Sequence, residues 1–304
     1  MVRAEHSVPK EPLSRIRPNI QNEYSRLEQV LVVPTPKVIT TFTDIGVNPI
    51  HAATIAGARE KIIEHPEAAE KHRSLLSTLE NQGIELVYSH VTSIKEGHTP
   101  LFTRDVGIII GDKVLPSRMG HDYRSVEVQG LIDVIDPKSI VQTDRDYMIE
   151  GGDIAVLGDG TVLVGIGPRT NINGLQLLQE NFPEKEFVPV YPVDPNKAFH
   201  IDTVLGVLGN KTLLYLPGLV PEDMVGSLKE KGFNFIEADI NEYGSCCTNV
   251  LAINDKKVIA PAENTETNRR MSEAGIDVVE VALSGILDQG GGPHCLTLPL
   301  RRSS

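Results

Sequence analysis

The chain has 304 residues, 40% of them hydrophobic and 23% charged, with 26 glycines and 20 prolines, a globular, turn-rich composition that excludes a disordered body. Its formal net charge of −12 speaks against nucleic acid as a partner, because an acidic surface repels phosphates, yet it does not repel a small cation. Three cysteines, two adjacent at Cys246 and Cys247, form no disulfide framework and read as core packing plus one further thiol in a reducing, cytoplasmic setting. No signal-peptide pattern and no apolar run of about 18 residues is present, so no membrane contact is expected.

Residues 1–26 carry Arg, Lys, Glu and Pro with little periodicity and read as a loose N-terminal arm. Leu27–Val33 is the first apolar strand, stopped by Pro34 and Pro36. Two helical patterns follow, Ile50–Glu64 and Pro66–Gln82, the second closed by Gly83 as its cap. Ile84–Ser89 is the next strand.

From there the chain repeats itself. Val106–Ile110 crosses Gly111-Asp112 to Val114-Leu115, and Ile154–Leu157 crosses Gly158-Asp159-Gly160 to Thr161–Val164. Val204–Leu208 crosses Gly209-Asn210 to Thr212–Tyr215, and Val250–Ile253 crosses Asn254-Asp255 to Val258-Ile259. Each is an apolar run, a hairpin turn and a second apolar run. A helical stretch and a further strand follow each one, the strands being Ser139–Thr143, Phe187–Val193, Phe233–Glu237 and Asp277–Leu283. The turns recur about every 47, 51 and 45 residues, the sign of a repeat architecture. The unit is ββαβ, and about five units result if the two chain ends combine into one. No unit can bury its own apolar face, so a radial arrangement around a central channel is expected, as one α/β domain over residues 27–304. The rival is a doubly wound sheet, whose strict βαβ rhythm the hairpins break.

The residues leading into the hairpins carry chemistry: Phe102-Thr103-Arg104-Asp105, Glu150-Gly151-Gly152-Asp153, His200-Ile201-Asp202-Thr203 and, before the last apolar run, Gly290-Gly291-Gly292-Pro293-His294-Cys295. In a radial fold they meet at one pocket. Three glycines let the loop before Cys295 approach a ligand closely. A thiol becomes a nucleophile when a nearby positive charge favours the thiolate, and His200 is placed to supply it and to act as acid or base. Glu150 would orient that ring. Asp105 and Asp202 remain to hold a cation, and the cation that best matches two carboxylates is a planar guanidinium. Bland readings exist for each residue: Cys295 as a small buried hydrophobe, the acids as turn caps, His200 with Asp202 as a metal pair.

These four motifs, with Asn249-Val250-Leu251-Ala252, resemble the guanidine-modifying superfamily, and most closely arginine deiminase, over nearly all the chain from Leu27 onward. The resemblance implies a five-bladed pseudosymmetric α/β propeller and a hydrolase that deiminates free L-arginine or a close analogue to citrulline and ammonia. It needs no cofactor and no metal. By resemblance Cys295 attacks the guanidinium carbon, His200 moves protons, Glu150 steadies His200, and Asp105, Asp202 and Asn249 line the substrate. Arg169 and Arg124 would grip the substrate α-carboxylate. The partner is then a small cationic guanidino compound, with a homo-oligomer compatible. Two features depart from bacterial arginine deiminases: residues 90–100 leave no room for their helical insertion, and Asp288-Gln289-Gly290 stands where they carry Arg before the nucleophile. The alternatives are an amidinotransferase, a dimethylarginine or other guanidino-compound hydrolase, and a non-catalytic binding protein of the same fold. A carboxylate at Asp105, where relatives such as the amidinotransferases often have Asn, favours hydrolysis.

Overall fold

The computed structural model describes residues 15–36, 39–43, 61–92 and 100–303. After β1 (Leu27–Val32) come the antiparallel pair β2 (Ile39–Thr43) and β3 (Lys61–His65), helix α1 (Pro66–Asn81) and β4 (Glu85–Tyr88), which lies parallel to β1. The next hairpin, β5 (Gly107–Ile110) with β6 (Lys113–Pro116), leads to the short helix α2 (Val128–Ile132). Then β7 (Ile154–Val156) and β8 (Thr161–Gly165) form a hairpin, α3 (Ile172–Asn181) crosses over, and β9 (Glu186–Val190) returns parallel to β8.

Two further copies of that connectivity follow. One is β10 (Leu205–Gly209), β11 (Thr212–Tyr215), α4 (Glu222–Glu230) and β12 (Asn234–Glu237). The other is β13 (Leu251–Asn254), β14 (Lys257–Pro261), α5 (Thr265–Glu273) and β15 (Asp277–Val281). The last strand, β16 (Leu298–Arg302), pairs antiparallel with β1, so the two chain ends together build a unit of the same order. The chain is thus a mixed α/β fold of small, separate sheets.

The sequence explains the units locally. Strands β7, β8 and β10 are buried at every residue, as expected for apolar runs covered on both faces. The helices are apolar on one face; in α4 the buried positions are Met224, Val225 and Leu228, spaced to meet the sheet. Three buried 3-10 turns, Thr103–Val106, Gly151–Asp153 and Ile201–Thr203, lead directly into β5, β7 and β10. The first touches the second and the second the third. That succession brings residues far apart in sequence to one place.

Several sequence expectations change. Residues 61–64, expected to end a helix, lie in β3, where Ile62 and Ile63 lie opposite Phe42 and Thr41 of β2, residue types that favour strands; residues 50–60 of that expected helix lie outside the described residues, as do residues 1–14 of the expected arm. Residues 15–26 are not loose: Ile16 bridges Ile135, Asn19 bridges Arg301 and Ile20 bridges Gly111, and Ile20 and Glu23 are buried. The strand expected at Ser139–Thr143 reduces to one parallel bridge, Val114 to Ile140. In the third and fourth hairpins the left-handed residue is Lys211 or Lys256, one or more positions past the expected Gly209-Asn210 and Asn254-Asp255.

Candidate active site

Cys295 lies in the turn before β16, 3% exposed, and the asparagine that precedes β13 clasps it. Asn249 Nδ2 donates to Cys295 Sγ at 2.9 Å, while Asn249 Oδ1 accepts from the backbone N–H of Cys295 at 3.0 Å and of Gly292 at 2.9 Å. The glycines before the thiol serve packing within the chain: a Cβ on Gly291 would fall 2.4 Å from the Phe102 ring and 2.9 Å from the Cβ of Cys295. The thiol in turn donates to Asp202 Oδ2 at 3.2 Å.

The turn before β10 also carries His200. Its Nε2 meets Glu150 Oε2 at 2.8 Å, and its Nδ1 lies 3.6 Å from Asp105 Oδ1 with no hydrogen-bond partner. Gly152 makes this approach feasible, since a Cβ there would sit 2.6 Å from His200 Nδ1 and 2.9 Å from Asp105 Oδ1. Glu150 is fully buried and accepts from the Gly120 N–H at 2.8 Å and from Arg169 Nη1 at 3.2 and 3.3 Å. Arg124 donates Nη1 to Asp105 Oδ2 at 2.9 Å and grips Glu127 with Nε and Nη2 at 2.9 and 2.8 Å. Asp105 Oδ1 and Asp202 Oδ1, both buried, accept no hydrogen bond.

Electrostatics divide the roles. Burial pulls against a charge on His200, but Asp105, Asp153 and the Glu150 hydrogen bond outweigh it and raise its pKa to about 9; the ring carries its proton at neutral pH. For Glu150 burial is likewise outweighed, here by the His200 hydrogen bond and Arg169, and the carboxyl lies well below its usual range. Cys295 is pushed far above the ordinary thiol value by burial and by Asp202 and Asp105. Asp153, which accepts from the Ile201 N–H at 3.2 Å, is raised by burial to about 7.

The structure brings together Cys295, His200, Glu150, Asp105, Asp202 and Asn249 as the sequence motifs require. Three expectations shift. Beside burial, the groups that act most strongly on the thiol are the acids Asp202 and Asp105 rather than the His200 cation. Arg124, expected at the substrate α-carboxylate, donates here to the buried acids Glu127 and Asp105. Arg169 faces Glu150 and stacks over the Phe199 ring at 5.7 Å. Sequence reasoning missed Glu127 and Glu23, and gave His294 no role although it lies inside a quoted motif. Asp105, Glu150 and His200 have ligand atoms within 4.8 Å of one another, as a metal site would, but the guanidinium groups of Arg124 and Arg169 already serve two of these acids. Cys246 and Cys247 are buried within apolar clusters, as expected for core packing, and burial raises both thiols above the ordinary value. Among the described residues no helix is long and apolar enough to cross a membrane.

Comparison with known proteins gives a consistent picture. The profile of the family described as N,N dimethylarginine dimethylhydrolase, eukaryotic, matches residues 39–302. The Bacillus subtilis (strain 168) protein YkgA is 30% identical over 299 residues, 97% of this chain and 98% of its own. An arginine deiminase of Mycolicibacterium gilvum (strain PYR-GCK) is 26% identical over 242 residues, and the match spans 66% of this chain but only 60% of that enzyme. Among solved structures, SxtG, an amidinotransferase from Microseira wollei in the saxitoxin biosynthetic pathway, superposes with a TM-score of 0.76 at 19% identity, covering 95% of this chain and 98% of the other. At that identity the likeness speaks for the fold.

Proposed function

The chain belongs to the guanidine-modifying amidinotransferase superfamily, and from that premise we propose that it is a thiol-dependent hydrolase cleaving a C–N bond in the guanidinium of free L-arginine or a close analogue. The observation that carries this reading is the pair of unpartnered carboxylate oxygens, Asp105 Oδ1 and Asp202 Oδ1, buried beside the thiol. Leaving such an acceptor unmade costs about 1–3 kcal/mol, a cost a guanidinium with its fork of N–H donors would remove. In this reading the five ββαβ units close radially into a five-bladed propeller forming one catalytic domain over residues 27–304.

Bound between the two acids, the cation neutralises the charges that hold the Cys295 thiol protonated, so the thiol releases its proton to solvent and the thiolate forms only in the complex. Sulfur then bonds to the guanidinium carbon, and the C–N bond breaks as the leaving amine takes the His200 proton. Neutral His200 next accepts a proton from water as the oxygen adds to the thiouronium carbon. Collapse breaks the C–S bond, the departing sulfur takes up the hydroxyl proton to restore the Cys295 thiol, and a ureido product remains. Glu150 keeps the ring oriented and favours its protonated form before the first step and after the second, and Asn249 holds the sulfur in line.

A second reading concerns the substrate. The matched family profile favours an N-methylated arginine, from which the same steps would expel a methylated amine in place of ammonia. Mass-spectrometric assay of arginine, dimethylarginine and agmatine without any acceptor amine decides among them. Ammonia from arginine supports deimination, dimethylamine from dimethylarginine supports the second reading, and an absolute need for an acceptor would point to amidino transfer. Cys295→Ala is expected to abolish turnover while still binding substrate; normal turnover by that variant would overturn the proposal.

A further inference from the structure

Behind the nucleophile lies a second carboxylate–histidine assembly that the reaction above does not use. His294, adjacent to Cys295 and 8% exposed, places Nδ1 at 2.9 Å from Asp202 Oδ2 and Nε2 at 3.1 Å from Glu23 Oε2. Glu23 arrives from the segment 15–26 that precedes the first strand. Resting on the guanidinium-hydrolase reading, we propose that Glu23 and His294 are positioning residues for Asp202: Glu23 fixes His294 as an imidazolium, and that cation holds Asp202 ionised, with one oxygen on the thiol and the other turned to the substrate.

Each ring nitrogen faces an acid oxygen at hydrogen-bonding distance, an arrangement that an imidazolium between two carboxylates satisfies with both of its N–H groups. A neutral ring would turn a lone pair toward one of the carboxylates. The charged groups around His294 act in both directions. Burial and Arg104, whose Nε donates to the His294 carbonyl at 3.4 Å, disfavour its charge, and the hydrogen bonds to Asp202 and Glu23 outweigh them and raise its pKa. Glu23 is itself held low, to about 2, because Arg104, the His294 hydrogen bond and Arg302 together overcome its burial. The chain of contacts runs Glu23, His294, Asp202, Cys295 Sγ, the last step at 3.2 Å. When the thiol ionises, its charge forms beside Asp202, and the imidazolium, bonded to the same Oδ2 that faces the sulfur, offsets the repulsion. Segment 15–26 is thereby part of the site.

The test measures thiol alkylation against pH with a cationic reagent, 2-chloroacetamidine, and a neutral one, iodoacetamide, on the full chain. Faster reaction with the cation in wild type tests the guanidinium reading; the variants test the dyad, so either fails alone. His294→Asn, which keeps a neutral donor, is expected to move the rising limb up by about one pH unit, about tenfold slower alkylation at a fixed pH on that limb. Glu23→Gln keeps the hydrogen bond and removes the charge. It is expected to react like wild type near pH ~6 and to slow toward the His294→Asn rate by pH ~8, as the ring loses its second proton between them. Folding of each variant is checked by thermal melt; should His294→Asn not fold, the pH-dependent loss in Glu23→Gln decides. Unchanged limbs in folded variants, or a Glu23→Gln profile parallel to wild type throughout, would overturn the dyad.

Discussion

The two histidines beside the nucleophile are both buried and both hold a proton more firmly than free imidazole, yet their rings are tied differently. His200 is bonded through Nε2 alone, to Glu150, and its Nδ1 has no hydrogen-bond partner. His294 is bonded at both nitrogens, to Asp202 and Glu23. A ring with one nitrogen open can give and regain a proton as chemistry proceeds; a ring with both N–H groups engaged by acids can only hold charge. In the proposed reaction the same residue type serves proton transfer through His200 and electrostatic support through His294, and the number of ring nitrogens hydrogen-bonded to carboxylates sets the difference.

The comparison breaks most visibly if His200 is replaced. His200→Gln is expected to lower kcat by about 10²–10⁴-fold, the usual worth of a positioned acid–base group, well beyond the effect of His294→Asn. Steady-state kinetics on whichever substrate the assay selects will rank them, and equal losses would mean that both rings act alike. Next in size is the pH response. With a pKa near 9, His200 supplies its proton fully below that value, and activity falls as pH rises through it. Glu150→Gln withdraws the hydrogen-bonded charge, so the descending limb should move down toward the free-imidazole value of about 6.5, costing about tenfold in kcat at pH ~8. A limb that stays near pH 9 in a folded variant would assign it to another group.

How much of this was legible in the sequence depends on what kind of interaction wrote it. The hairpins were readable because apolar runs and turn pairs are local; the order of strands within each unit follows from them. Segment 15–26 reads as loose because, apart from the turn in which Asn22 accepts from the N–H groups of Tyr24 and Ser25, its partners are distant: its bridges reach Gly111, Ile135 and Arg301, and its buried acid reaches His294 across 271 positions. Asp105, Glu150, His200, Asp202 and Cys295 stood out as reactive types at repeated places. Arg124 was assigned to the substrate because an arginine after a motif looks available, whereas Glu127, three residues on and buried with it, takes up its fork. The lysines at positive φ, Lys211 and Lys256, were hidden behind neighbouring Gly and Asn residues with the stronger turn signal.

Arg169 sharpens the acid side of the comparison. It lies on Glu150, 3.2 Å from Oε2, so its loss should act partly through His200 and partly on any ligand carboxylate. If the substrate carboxylate reaches it, Arg169→Ala will reduce kcat/KM for arginine about tenfold more than for agmatine, which has no carboxylate, in line with a charge-assisted contact. Equal losses on both would leave Arg169 acting only through Glu150.

The smallest expected effect is on stability and concerns Asp153, the acid under His200. Its pKa is raised by burial to about 7 even after the attraction of His200 and the Thr170 hydrogen bond are counted, so the folded state binds its proton more tightly than the unfolded chain does. The sign follows: the fold carries no penalty at low pH, the penalty grows as pH rises above the unfolded value near 4, and it levels off above 7. Asp153→Asn keeps an oxygen for the Ile201 N–H and removes the buried charge. It is expected to leave the melting temperature nearly unchanged at pH ~4 and to raise it by about 2–4 °C at pH ~8. A variant less stable than wild type at pH 8 would show instead that the ionised carboxylate is held favourably beneath the His200 ring.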